Sequence, residues 1–158
     1  MANTASLCTS FLSELMTGTH NFGVSPIRAA TTADTFKGAL YLASATYNAS
    51  TTAYSATGEV TGTNYTAGGV TVTNATPPAS TNTSATAGTA YWTPSASLTY
   101  TNVTLTTAFD SVLIYNSTQS NKAVGVYTFG SQTITAGTFT LTMPSNTTAA
   151  ALIRIATT

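Results

Sequence analysis

The sequence predicts an all-β protein, a jelly-roll-like antiparallel β-sandwich with a short N-terminal α-helix. Three observations carry this expectation. From Thr35 onward, apolar side chains recur with period two. Thr, a β-branched strand former, supplies about a quarter of the 158 residues. About eight or nine such segments are separated by Gly, Asn, Pro and Ser, the cadence of sandwiches and jelly rolls. A chain of this length suits a single core, with the N-terminal helix and arm over 1–34 and the β-sandwich domain over 35–158.

The helix rests on Leu7, Phe11, Leu12 and Leu15, which recur at helical spacing, with Ser6 placed to cap the first turn and Gly18 to stop it. A helix this short needs a partner surface. Strands follow at Phe36–Ala43 and Gly69–Asn74, both alternating as half-buried strands do. The stretch Ala75–Ala90 lacks large apolar side chains and contains Pro77-Pro78, so it reads as a long loop. Tyr91–Thr93, Leu98–Thr106, Ser111–Asn116 and Ala123–Phe129 are the next strands. In Leu98–Thr106 the parity of Leu98 and Tyr100 switches to that of Val103 and Leu105, which places a bulge near Asn102. Val112–Tyr115 is apolar on both faces and fits a central strand. Ala136-Gly137 between Gln132–Thr135 and Thr138–Met143 reads as a hairpin turn, and Ala151–Ala156 closes the chain.

Charge is scarce. Charged residues make up 5% of the chain, four basic and four acidic, against about 25% in an average domain. Arg28, Lys37, Lys122 and Arg154 are too few for the roughly 6–10 phosphate contacts of a nucleic-acid binder. Charge-driven disorder does not fit a net charge of zero and 42% hydrophobic residues. No apolar run reaches the roughly 18 residues that span a bilayer, and the opening MANTASLCTSFLSELM lacks the basic and long apolar regions of a secretion leader. The expectation is a protein without nucleic-acid or membrane partners. Cys8 is a lone cysteine, expected as a small buried apolar side chain.

Little in the sequence points to catalysis. Glu14, Asp34, Glu59 and Asp110 are far apart, His20 is the sole imidazole, and GxSxG, HExxH and CxxC spacings do not occur. Glu14 is expected to face solvent on the helix, Asp34 to open a turn, and Glu59 and Asp110 to sit at strand ends. A Cys8/His20 pair would need a basic neighbour to lower the thiol's pKa, and the sequence shows none beside Cys8. The expectation is no enzyme, no catalytic residues, no cofactor and no metal. The four glycines of Gly58–Gly69 do not open a helix, so they read as tight turns rather than a phosphate cradle. Seven Asn-x-Ser/Thr matches, from Asn48 to Asn146, follow from a composition rich in Asn and Thr. Eight Tyr and Trp92 divide between core packing and a partner surface.

Three stretches carry a resemblance. They are TFKGALYLASATYNASTTAYSATGEVTGTNYTAGGVTVTN, AYWTPSASLTYTNVTLTTAFDSVLIYNSTQSNKAVGVYTFG, and ITAGTFTLTMP with ALIRIA. Together, from Thr35 to Ala156, they resemble a family of small tailed-bacteriophage virion structural proteins. The most recognisable pieces are Tyr54…Glu59…Tyr65-Thr-Ala-Gly-Gly69 and Leu113-Ile-Tyr-Asn116 with Asn121-Lys-Ala123. The resemblance implies a virion part, of the capsid cement or decoration type, on the outer surface of a shell and made in a bacterial cytoplasm. Its implied partners are the major capsid protein and further copies of itself, as a dimer or trimer. A tail, neck or spike component and a carbohydrate-binding adhesion module are the alternatives. The candidate capsid or partner contacts are Leu7, Phe11, Leu15, Glu59, Tyr65 and Trp92.

Overall fold

Two long strands dominate, because β-branched and apolar residues run through the middle of the chain with no proline to break the ladder. The structure, a computed structural model, describes residues 3–16, 18–20, 22, 33–81 and 88–156. Within them lie β1 (Ser6–Leu7), α1 (Thr9–Met16), β2 (Phe36–Leu42), β3 (Val70–Val72), β4 (Ala79–Ser80), β5 (Thr89–Trp92), β6 (Leu98–Asn116), β7 (Lys122–Leu141) and β8 (Ile153–Ala156). They form two antiparallel sheets, a five-stranded one in the order β1-β7-β6-β2-β3 and a three-stranded one in the order β4-β5-β8. Arg28 and the Asn82 match lie outside the described residues.

The break expected between Leu98–Thr106 and Ser111–Asn116 is absent, and so is the hairpin at Ala136-Gly137. Each is absorbed into a continuous strand by bulges. Between the pairs Leu105↔Ile134 and Val103↔Gly137, β7 carries one residue more than β6, and Ala136 takes φ 47. Between Phe109↔Gln132 and Ser111↔Thr128 the excess is again on β7, where Gly130 adopts φ 81. The bulge expected near Asn102 is present, with φ 52 at that residue and a register shift between Tyr100 and Val103. Left-handed residues inside a strand thus mark bulges as well as turns. The stretch read as one loop, Ala75–Ala90, contains β4 and the start of β5.

The N-terminal helix begins later than expected. Ser6 and Leu7 pair with Val126 and Gly125 of β7, so backbone ladder bonds claim the residues that helical spacing had assigned to the first turn. Its end is the Schellman arrangement: Gly18 at φ 66 donates to the Leu15 carbonyl at 3.0 Å, and Thr19 donates to that of Glu14 at 2.8 Å.

Val112, Leu113 and Ile114 are fully buried between β2 and β7, as a central strand requires. Phe36, Leu40, Leu98, Leu105 and Phe109 extend the same core, and Cys8 and Phe11 seal it from the N-terminal side. The small sheet joins through Trp92 and Ile153. Phe22 stacks on Phe36 at 4.5 Å and meets Trp92 at 4.8 Å.

Gly69 and Gly130 share a left-handed φ but differ in surroundings: a Cβ on Gly69 would meet the Gly38 carbonyl oxygen at 1.8 Å, whereas one on Gly130 meets nothing within 4 Å. Gly130→Ala is expected to cost about 1 kcal/mol from backbone conformation alone. Gly69→Ala should cost about 3 kcal/mol or more, because strain and a backbone clash add. Urea unfolding of the two variants measures the difference.

Candidate functional site

Two buried polar clusters hold most of the chain's scarce titratable groups. The first forms where the segment from Ala43 to Gly69 folds back over β2. Leu42 donates to the Gly58 carbonyl and Val60 to that of Leu40, which lays Gly58–Val60 alongside the strand. Glu59 is thereby turned inward and is 6% exposed. One of its oxygens accepts from the Tyr54 hydroxyl at 2.7 Å; the other accepts from Tyr65 at 2.7 Å and from the Gly68 amide at 2.8 Å. Tyr65 in turn accepts from the Leu40 amide at 3.0 Å. Tyr115 donates to the Gly68 carbonyl and Tyr100 to that of Gly38, each at 2.8 Å, while Tyr54 stacks on Tyr115 at 4.7 Å.

Burial raises the hydroxyl pKa of Tyr54, Tyr65 and Tyr100, and the nearby Glu59 carboxylate adds to it. Tyr115 is pushed up to about 12 by the same two causes in the same order. All eight tyrosines and Trp92 are buried or half-buried, which favours the core reading of these rings over an aromatic platform.

The second cluster ties α1 to the β6–β7 turn. His20 Nε2 lies 2.7 Å from Glu14, whose other oxygen accepts from Lys122 at 2.6 Å. His20 Nδ1 lies 3.1 Å from Asn116 Nδ2, which also donates to Asp34 at 2.8 Å. Asn116 Oδ1 accepts from the amides of Thr118 and Gln119, so its orientation is settled. An amide donor facing Nδ1 makes that nitrogen an acceptor, which leaves His20 neutral with its proton on Nε2, donated to Glu14. Burial lowers the imidazole's pKa, against the opposing pull of Glu14.

The expected placements of the acids are corrected here. Glu14 does not face solvent: its side chain is 12% exposed and held by Lys122 and His20. Asp110 lies inside β6 rather than at a strand end, and accepts from Asn3 at 2.6 Å. Glu59 bridges to Tyr41 but belongs to no strand. The sequence did not single out Asn116 as a partner of His20 and Asp34, Gln119 of Asp34 or Lys122 of Glu14, since their meeting depends on a register that pairs Phe36 with Asn116.

Among the six candidate contacts, Phe11, Leu15 and Trp92 come together. With Phe22, Ile153 and Ile155 they line an apolar cleft of about 170 Å³, and Ile155 is 40% exposed. Glu59 and Tyr65 meet in the first cluster, and Leu7 sits apart beside Leu152 and Arg154. Cys8 is buried, and its thiol is pushed up to about 11 by burial and then by Glu14, which leaves it a poor nucleophile. No protein family, curated protein or solved structure matches the chain.

Replacing Glu59 with Gln turns one acceptor into a donor facing donors, and is expected to cost about 2–3 kcal/mol. Tyr65→Phe, which also strands the Leu40 amide, should cost more than Tyr54→Phe; chemical denaturation ranks the three. Because the tyrosine values are raised in the folded state, their contribution is complete below about pH 10 and is lost above it.

At acid pH the other cluster governs. The folded value of His20 is lowered from 6.5, so its contribution is present above that pH and drains as pH falls. For Glu14 burial pulls upward, but the bonds from Lys122 and His20 win and bring it below 4.5, so its contribution is lost at still lower pH. The melting temperature should fall as pH drops below 6.5, and His20→Gln should flatten the first part of that fall.

Proposed function

We propose that this chain is a structural protein of a tailed-bacteriophage virion, a cement or decoration protein that binds between major capsid subunits on the outer shell and stabilises it. The observation that carries the reading is that all four acidic side chains are used as internal anchors. Glu59 accepts from Tyr54, Tyr65 and Gly68, Glu14 from Lys122, Asp34 from Asn116 and Gln119, and Asp110 from Asn3. Such a distribution suits a scaffold rather than an enzyme. One of the two pieces that carry the family resemblance most plainly, Tyr54 to Gly69, is the piece that the Glu59 cluster ties down. In this reading the two sheets form a jelly-roll-like sandwich closed through Trp92 and Phe36, whose rings lie 6.2 Å apart. The protein works without cofactor, metal, nucleic acid or membrane, and is made in the bacterial cytoplasm.

The mechanism is mass action. A protein that binds only the assembled shell stabilises it by the free energy of that binding. With charged residues at 5%, the contacts rest on apolar area, backbone pairing and shape. Leu7 and Leu15 on the N-terminal side, both half-buried, and the turns around Glu59 and Tyr65 are the proposed docking regions; Phe11 and Trp92 are buried and form the floor of the cleft.

A virion reconstruction at side-chain resolution tests the assignment: density for this chain on the shell is expected, and density at the tail, neck or spike, or none, would overturn it. Shell occupancy should change little between low and high salt, since screening acts on charges. Deletion of the residues before Thr19 should reduce occupancy.

A further inference from the structure

We propose that the outer edge of β7 at Gly137–Leu141 pairs antiparallel with the same segment of a second copy, about a two-fold axis through Phe139. Among the described residues, β7 has β6 along one side, while β1 covers the other only at Gly125 and Val126. Beyond Val126 that edge has no strand partner, and its backbone donors and acceptors form a ladder template.

The bulges at Gly130 and Ala136 bend the edge and interrupt its spacing. Past Ala136, β7 carries no further left-handed residue; the extra residue of the Asn102 bulge lies on β6, and Tyr100↔Phe139, Thr99↔Thr140 and Leu98↔Leu141 follow in unbroken register.

The occupant follows from self-complementarity. Pairing about Phe139 sets Phe139 against its own copy, Thr138 against Thr140, and Gly137 against Leu141. Thr138 and Thr140 are exposed on one face, and Phe139 and Leu141 are half-buried on the other. Every opposed pair therefore matches in face and polarity, and aromatic and Thr–Thr pairs are among the favourable cross-strand combinations. The Tyr100–Phe139 contact, 6.0 Å between ring centres, would continue across the axis as a row of four rings. A charge on the axis would meet its own copy, and a charge in place of Gly137, Thr138, Thr140 or Leu141 would be repeated on both sides of the axis. None is present, because no Asp, Glu, Lys or Arg occurs between Lys122 and Arg154. The pairing supplies about four to six backbone hydrogen bonds, the lower range of a specific interface, which describes a weak dimer reinforced by high local concentration in a shell.

This inference rests on the virion reading proposed above, whose family resemblance implies a dimer or trimer, and its test needs only the isolated protein. Sedimentation velocity across concentration should show a reversible dimer. Thr138→Lys with Thr140→Lys, on exposed positions, should raise the dissociation constant about tenfold or more by opposing like charges. Thr138→Lys with Thr140→Glu opposes Lys to Glu across the axis and should restore dimerisation. Circular dichroism and melting verify that both variants fold. A wild type monomeric up to about millimolar concentration, a double-lysine variant that dimerises as well as wild type, or a Lys/Glu variant no better than the double lysine would each overturn the pairing. None of these outcomes bears on shell location, which the reconstruction decides separately.

Discussion

The segment between β2 and β3 has no regular secondary structure, and its attachment to the sheet depends on the buried Glu59 carboxylate. Burying an ion is costly unless its lone pairs are filled. Here two hydroxyls and one amide fill them, and each donor comes from a different part of the segment. The carboxylate thus fixes Tyr54, Tyr65 and Gly68 relative to one another. Tyr65 then passes the constraint to β2 through the Leu40 amide, and Tyr115 passes it to β6 through the Gly68 carbonyl. Such a network is worth more complete than as separate bonds, since each unpaired member would be stranded in a low-dielectric interior.

The His20 cluster plays the same part for the N-terminal arm with different chemistry. Its hub is an imidazole whose two nitrogens face an acceptor and a donor, and its outer members are an ion pair and a buried amide. One cluster is therefore sensitive to base and the other to acid. Between these limits all four acids and Lys122 are directed inward or against a partner, and the chain's abundant Thr, Ser and Asn supply polar surface. Solubility then rests on hydroxyl and amide hydration rather than on repulsion between charges.

The fold class was legible because period-two alternation and β-branched residues are local signals. The central position of Val112–Ile114 and the bulge at Asn102 could be read for the same reason. What misled the reading was the assumption that a Gly or an apparent turn must end a strand: Gly130 and Ala136-Gly137 look like breaks but sit opposite a partner strand that makes continuing the ladder more favourable than turning. Ser6 and Leu7 failed in the same way, since pairing with β7 outweighs a weak helical preference. Of the candidate site, Glu59 and Tyr65 could be singled out from the segment they occupy. Their joint role could not, because it is defined by Gly68, Leu40 and Tyr115, which reach them only through tertiary contact.

A neutral β protein must limit its own edges, and the arrangement here does so by length more than by charge. The outer strands β1, β3 and β4 span two or three residues each, too short to template another chain. The edge at β8 carries Arg154, a charge that discourages stacking. Among the described residues, β7 has no strand along its outer edge from Tyr127 to Leu141, and its bulges at Gly130 and Ala136 leave only the last five residues free of left-handed backbone. An edge shortened in this way can pair once, with a copy of itself, and cannot extend further. Because that pairing is isologous, each copy uses the same edge and the contact closes at two. The same bulges that defeat a simple reading of β7 thus convert an aggregation hazard into a bounded contact.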